Sequence, residues 1–406
     1  MNCDIIIIGS GPAGLAAGFA AADSGKKVLI LEKMPSPGSK LLASGGGRCN
    51  VSNILPLEEF ASRFGRNWRF LLPALSEFHG RKLLDFFRTR DLPLELTDGF
   101  HYFPNTGKAR DVLELFTSGI LRRGGKILCG TRVNSLRPGE KWQVITDRGI
   151  FSAGKVICAC GGRGYPALGG SMTGYDLARG CGHRITPLYP AMTGVICNDQ
   201  KIRECAGISI PDCRAKINVK GRDGICTEGE LLFTHNGFSA FAILDLAGTA
   251  AALLEKMDTV PLKIDFLPRM SESGLSAVFD SWRKAGGTRK ISNLLSTLLP
   301  RRVAQMLLDG DDPEISRWQA SSARLLAEKL KNSIFPICAV ENWEKAMVTK
   351  GGVCLKEVSP HTLESKICPG LFFAGEMLDV TGPCGGFNIT WALASGMLAG
   401  KNSSLA

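Results

Sequence analysis

The sequence predicts an α/β fold: a Rossmann-like dinucleotide-binding domain assembled from both ends of the chain, interrupted by an antiparallel β domain and a small helical domain. Three observations predict it. The chain opens on a strand–turn–helix–strand unit with a glycine fingerprint. It closes on a glycine-rich strand–loop–helix. Between them the periodicity changes from alternating to helical.

The opening stretch "CDIIIIGSGPAGLAAGFAAADSGKKVLILEK" carries the first element. Residues 5–8 are β-branched and apolar on both faces, as a buried parallel strand requires. Gly9, Gly11 and Gly14 then form GxGxxG, with Pro12 and Ala13 inside it. Gly9 makes the turn, Gly11 lets backbone approach a pyrophosphate, and Gly14 lets the helix lie close on the sheet. The helix runs to about Ser24, Gly25 ends it, and a second strand over 27–31 ends at Glu32. Glu32 stands 18 residues past the last glycine, where an acid accepts from ribose hydroxyls and repels a 2′-phosphate. Lys33 follows it.

After the second strand an NAD dehydrogenase returns to a helix, whereas here Pro35, Pro37, Gly38 and the run "LLASGGGRCNVSN" make a long loop. So little side chain suits a flat, extended ligand, which favours FAD over NAD. Lys40 and Arg48 are placed to compensate pyrophosphate charge, and Asn50 and Ser52 to meet a ring edge. "GKVICACGGRG", at 154–164, reads as another buried strand ending in glycines, Gly161 among them. Near the C-terminus, 371–374 is a strand, and Gly375 and Glu376 follow it. Gly382, Gly385 and Gly386 clear space, and 388–398 is an apolar helix whose N-terminus favours a reduced, anionic flavin.

With these residues in view, the chain resembles the bacterial BaiN/RdsA-type (YhiN-like) family of NAD(P)/FAD-dependent oxidoreductases. The resemblance rests on "GSGPAGLAA", "KLLASGGGRCNVSN", "HYFPNTGKARDVLELF", "ACGGRGYPALGGSMTGYDLARGCGH", "GELLFTHNGFS" and the closing block "AMVTKGGVCLKEVSPHTLESKICPGLFFAGEMLDVTGPCGGFNITWALASGMLAG". It departs from the family once: after "THNGFS" the family continues with Gly-Pro, and Ala240 and Phe241 stand here. The resemblance implies a fold of the glutathione reductase and succinate dehydrogenase kind, tightly bound FAD and reduction of a carbon–carbon double bond. Uridine of ribosomal RNA and steroid-like bile acids are the substrates it implies.

The cofactor-binding set is Gly9, Gly11, Pro12, Ala13, Gly14, Glu32 and Lys33 at the opening; Lys40, Ser44, Gly46, Gly47, Arg48, Cys49 and Asn50 in the loop; Val133 and Gly161; and Gly375, Glu376, Asp379, Gly386, Phe387 and Asn388 near the C-terminus. Flavin carries the hydride, so the protein must supply position and a proton. Cys384, in a glycine-flanked turn, is a proton donor or a small residue packing under the ring. His235, in "LLFTHNGFS", is an acid, a substrate ligand or structural. Cys49 is a poorer acid, because Arg48 beside it favours the thiolate. Glu376 and Asp379 read as cofactor ligands rather than acids.

The expected domains are residues 1–190 with 336–406 for FAD, 191–270 as a β-rich substrate domain and 271–335 as a helical insert. "RAKINVKGRDGICTEGELLFTH" alternates on both sides of a turn at 221–224, and the helical insert carries periodic leucines. No second GxGxxG with a following acid exists, so NADH or NADPH is expected as a transient donor only. No CxxC occurs among the fourteen cysteines, which disfavours a disulfide reductase and a zinc site; no metal is expected. The N-terminus lacks the pattern of a signal peptide, no stretch suits a membrane span, and a cytoplasmic protein is expected.

Charge bears on the partner. Forty-nine Lys and Arg against 38 Asp and Glu leave +11, more than two pyrophosphate charges require. Arg63, Arg66 and Arg69 recur with Phe64, Trp68 and Phe70 interleaved; Arg81, Lys82, Arg88 and Arg90 follow, and Arg301 and Arg302 stand in the helical insert. Aromatics among arginines suit RNA, and they equally suit a solvated helix with its aromatics in the core. The leading expectation is therefore reduction of uridine to dihydrouridine in ribosomal RNA. The competing readings are a small-molecule flavin oxidoreductase with a steroid-like or anionic substrate, and a non-catalytic flavoprotein redox sensor.

Overall fold

A computed structural model describes residues 2–217 and 225–405; the expected turn at 221–224 lies outside them. The chain divides into two units, Met1–Tyr189 with Val348–Ala406, and Pro190–Met347.

The first unit is built on one mixed sheet. Its strands run in the order Lys126–Leu128, Val28–Leu31, Asn2–Ile8, Gly149–Cys158, Trp142–Thr146 and Val133–Arg137. The first four pair in parallel, with Ile8 beside Leu31 on one side and Cys158 on the other. The ten-residue strand Gly149–Cys158 does two jobs. Its first half closes a hairpin with Trp142–Thr146, and its second half pairs in parallel with the C-terminal strand Leu371–Phe373. The carboxyl ends of the central strands thus share one edge, where ligands bind in open α/β sheets.

The first helix, Pro12–Asp23, is buried at ten consecutive positions, Ala13 to Ala22, because small residues let it be covered on both sides. The last helix, Phe387–Ser403, lies against it: a Cβ on Gly396 would stand 2.2 Å from the Ala13 carbonyl oxygen, and one on Gly400 2.3 Å from that of Ala17. This helix runs five residues past the expected end at 398, since the glycine–alanine contact continues through its last turns. A small antiparallel sheet of Leu94–Leu96, His101–Pro104 and Ser52–Asn53 completes the unit.

The second unit is a seven-stranded antiparallel sheet, in the order Ser333–Ile337, Val260–Asp265, Ser209–Ile217, Cys226–Phe233, Gly237–Ser239, Val195–Ile196 and Ala339–Val340. The expected split into a β domain, 191–270, and a helical insert, 271–335, gives way to one core. Leu275, Phe279, Ile291, Val303 and Leu326 from the helices are buried in the same cluster as Phe233, Phe238 and Ile264 from the sheet. The boundary expected at 336 moves to 348, because Ser333–Ile337 pairs with Val260–Asp265 and Ala339–Val340 with Val195–Ile196. Among the described residues no helix is long and apolar enough to cross a membrane, and no group of three or more His, Cys, Asp or Glu could hold a metal.

Candidate functional site

The site is built at the carboxyl edge of the first unit's sheet. At the opening turn Gly9 has φ +99°, and a Cβ there would meet the Ala159 oxygen at 2.5 Å; one on Gly14 would meet the Gly9 oxygen at 1.9 Å. These two close the turn on its own helix and on the neighbouring strand. Gly11 differs: nothing lies within 4 Å of a Cβ built on it. The helix that begins at Pro12 therefore opens its first turn, with its unpaired N–H groups and positive dipole end, beside bare backbone. Glu32 is buried next to it. Its Oε2 accepts from Ser10 N (2.8 Å) and Ser10 Oγ (2.6 Å), and its Oε1 from Met34 N (2.8 Å). That leaves about one of the four lone-pair sites of a carboxylate for a further donor. Lys33 donates to Ser171 Oγ at 2.7 Å, and burial lowers its pKa. Val133 is buried two residues past Thr131, whose N–H donates to the Glu32 carbonyl.

The loop that follows is a left-handed run. Gly45, Gly46, Gly47 and Cys49 have φ of 56°, 65°, 85° and 63°. The Arg48 and Cys49 amides fold back onto the Gly45 and Ser44 carbonyls, and Ser44 Oγ donates to Leu41 O. Gly46 and Gly161 leave space within 4 Å, and Gly47 nearly so. Cys49 is the correction in this loop. Its side chain is fully buried, and burial pushes its thiol up to about 12. Arg48 does not reach it; that guanidinium lies exposed over the Phe103 ring, 4.5 Å from the centroid.

The two ends of the chain are stitched together directly past Cys49. Asn50 donates its amide to Ser52 O (3.0 Å) and accepts from Gly386 N (3.2 Å). Asn53 Nδ2 donates to Gly385 O (2.8 Å), and Thr390 Oγ1 donates to Val51 O (2.8 Å). These bonds hold the strand Ser52–Asn53 across the start of the helix Phe387–Ser403.

Several residues expected at the cofactor also have protein partners. Lys40 pairs with Glu376 at 2.9 Å, and the other Glu376 oxygen accepts from Thr349 N. Gly386 packs on the backbone of Ser52, whose atoms a Cβ would meet at 2.8 Å. Phe387 is core, stacked on Phe60 with centroids 4.6 Å apart. The Asn388 amide closes the turn before it, accepting from Gly382 N and donating to Gly382 O, both at 2.9 Å. At Gly375, a Cβ would stand 2.7 Å from that of Ala13, so this glycine joins the last strand to the first helix. Asp379 is half-buried. Burial raises its carboxyl, against a hydrogen bond from Thr186 and the charges of Arg66 and Lys350.

Cys384 is half-buried in the turn between Pro383 and Gly385. His235 belongs to the second unit, exposed on the turn between Cys226–Phe233 and Gly237–Ser239, where its carbonyl accepts from Arg203. His101, which lies outside the set expected from the sequence, stands beside the turn at Gly385. It stands opposite Asn53 in the small sheet, with Nδ1 2.7 Å from Asp98 Oδ2, and a Cβ on Gly385 would be 3.1 Å from its Nε2. The signal was present in "TDGFHY": an Asp-Gly turn with His three residues after the acid.

The residues present fit an extended dinucleotide. Open backbone at Gly11, a helix N-terminus and a buried carboxylate meet at one strand edge, and a second helix begins at the other end of the same region.

The chain is similar over nearly its whole length to proteins of known name. It is 32% identical to the 3-dehydro-bile acid delta(4,6)-reductase of Clostridium scindens, over 97% of each chain. It is 28% identical to the ribosomal RNA dihydrouridine synthase of Escherichia coli, over 97% of this chain and 96% of that one. The fold matches the solved 3-ketosteroid delta1-dehydrogenase of Sterolibacterium denitrificans with a TM-score of 0.54, at 13% identity and 99% coverage of both chains. The family described as the HI0933-like protein Rossmann domain matches residues 3–402, and the chain belongs to that family.

Proposed function

We propose that this protein is an FAD-dependent oxidoreductase that reduces a carbon–carbon double bond conjugated to a carbonyl, with NADH or NADPH as a transient donor. The observation that carries this reading is the meeting of both chain ends at one strand edge. The open turn at Gly11 beside Glu32 suits the adenosine and pyrophosphate half of FAD. The bonded pair of segments at 50–53 and 385–390 suits the ring half. When bound, the reduced flavin supplies a hydride equivalent. The chain's own part is to bind and orient, and to hold a proton for the second carbon.

The substrate class follows from what two relatives' names share. A 3-oxo-steroid with a delta-4 bond and uridine are both alkenes conjugated to a carbonyl, so hydride addition places negative charge on oxygen in both. A small enone is the first reading, supported by the 32% identical bile-acid reductase. Uridine in ribosomal RNA is the second. It is supported by the dihydrouridine synthase likeness and by exposed Arg66 and Arg69, the latter lying over the Trp68 ring at 5.3 Å. Phe70 does not share that exposed face; it packs edge-on against the core residue Trp391.

The purified protein is expected to be yellow, with about one FAD per chain. Under anaerobic conditions its dithionite-reduced flavin is expected to be reoxidised by a 4-ene-3-oxosteroid, by a ribosomal RNA transcript, or by both. Release of FMN, or no flavin after reconstitution, contradicts the reading.

A further inference from the structure

We propose that His101, oriented by Asp98, is the proton donor of this site. The inference rests on the reading that a flavin ring lies against the turn that begins the last helix. Asp98 is fixed before it meets the ring: its Oδ1 accepts from the backbone N–H of Phe100 (3.0 Å) and of His101 (2.8 Å). Its Oδ2 then faces His101 Nδ1 at 2.7 Å. The contact with His101 is the main reason the Asp98 carboxyl falls to about 2, so it is ionised throughout the neutral range. A carboxylate facing Nδ1 fixes that nitrogen as the one that serves Asp98, and leaves Nε2 as the ring nitrogen turned toward the site.

Nε2 faces the turn. A Cβ on Gly385 would stand 3.1 Å from it, so any side chain at 385 would press on this nitrogen, while glycine leaves it uncovered. The Gly385 carbonyl is held by Asn53, the cross-strand neighbour of His101, so ring and turn are fixed by the same short strand. Among the described residues, the helix Ala109–Arg122 packed against this strand carries Arg110, Asp111, Glu114 and Arg122, and further titratable and charged groups stand on the sheet and turn around the ring. They are Asp98 on its own turn, Tyr102 on its own strand, Glu95 on Leu94–Leu96, Cys384 on the turn, and Arg48 over Phe103. Asp98 is half exposed and His101 a quarter exposed, which gives the pair a path to water. A pair that only closed the turn at 97–101 would not need its second nitrogen aimed at Gly385.

In the step this implies, the alkene gains a hydride equivalent from the reduced flavin at one carbon and the Nε2 proton at the other. The alkene is reduced and the flavin oxidised; the imidazolium becomes neutral imidazole with its proton on Nδ1, and water restores the Nε2 proton.

The test uses flavin-loaded protein and two readouts. The first is the reduction potential of the bound flavin against pH in wild type, His101→Gln and Asp98→Asn. A proton taken up at His101 when the flavin is reduced makes the wild-type dependence of potential on pH differ from that of His101→Gln, with Asp98→Asn shifting the difference. The second is reoxidation of the reduced flavin. His101→Gln is expected to slow reoxidation by a 4-ene-3-oxosteroid on the order of 10²–10⁴-fold, and to leave reoxidation by ferricyanide, which protonates no carbon, unchanged. Superimposed potential curves on proteins of equal flavin content overturn the proposal and leave the proposed function standing. Absence of bound flavin overturns both.

Discussion

On the proposed reading, cofactor binding depends most on Glu32. Its carboxylate is buried and receives three hydrogen bonds before any ligand arrives, so a ribose meets an acceptor that is already fixed. Glu32→Ala is expected to lower flavin retention through gel filtration. It should also cost about 1–3 kcal/mol of stability by leaving the Ser10 donors unpaired; retention equal to wild type would show that the carboxylate does not hold the ribose. His79 makes a different prediction. It is buried against Phe60, with ring centroids 4.4 Å apart, and its Nε2 has no partner among the described residues. Burial lowers its pKa from 6.5 to about 4. The unfolded chain therefore takes up this proton first as pH falls. The stability the neutral ring contributes is present above about 6.5 and lost as pH falls toward about 4, on the order of 3 kcal/mol in all. His79→Leu is expected to flatten urea denaturation midpoints across that window; an unchanged slope would show that another group carries the acid sensitivity.

Among the elements, those with strong local signals were legible in the sequence. The β-branched run at 5–8, the alanine helix and Gly25 led directly to Asn2–Ile8 and Pro12–Asp23, because propensity, pattern and turn chemistry agree there. The GGGRCN loop was legible as unusual backbone, but not its partners: no periodicity links 50–53 to 385–390, more than 300 residues away. The partners of Lys40 and Phe387 were hidden for the same reason, since Glu376 and Phe60 lie more than 300 residues away in sequence. At Ala240 the departure from the family pattern has a structural meaning. It has φ 71° and ψ −177°, a conformation that suits glycine, at the start of the helix Phe241–Leu254. The strain belongs to a class worth on the order of 1–3 kcal/mol. Ala240→Gly is expected to raise the melting temperature without changing flavin content; a lower melting temperature would show the position is not strained.

At the scale of the whole molecule, two cores form from one chain, and the break falls where strand pairing changes partners rather than where composition changes. That is why the β and helical segments of the middle looked separable in sequence and are one unit in the structure. Net charge is the other property of the whole. An excess of +11 makes binding of any polyanion salt-dependent, and affinity for ribosomal RNA fragments should fall as salt rises, by about one unit of log–log slope for each phosphate contact. Arg66→Ala with Arg69→Ala is expected to flatten that slope if these residues meet phosphates; an affinity indifferent to salt would favour the small enone.

We propose that this chain holds FAD and uses it to reduce a conjugated carbon–carbon double bond. The most direct measurement is a single-turnover experiment. The flavin of purified protein is reduced anaerobically and mixed with a 4-ene-3-oxosteroid or with ribosomal RNA, and the absorbance of oxidised flavin is followed while the product is analysed by mass. The oxidised spectrum is expected to return together with a product two mass units heavier, in equal amounts. A flavin that stays reduced with both acceptors, yet reoxidises at once with ferricyanide, would contradict this proposal.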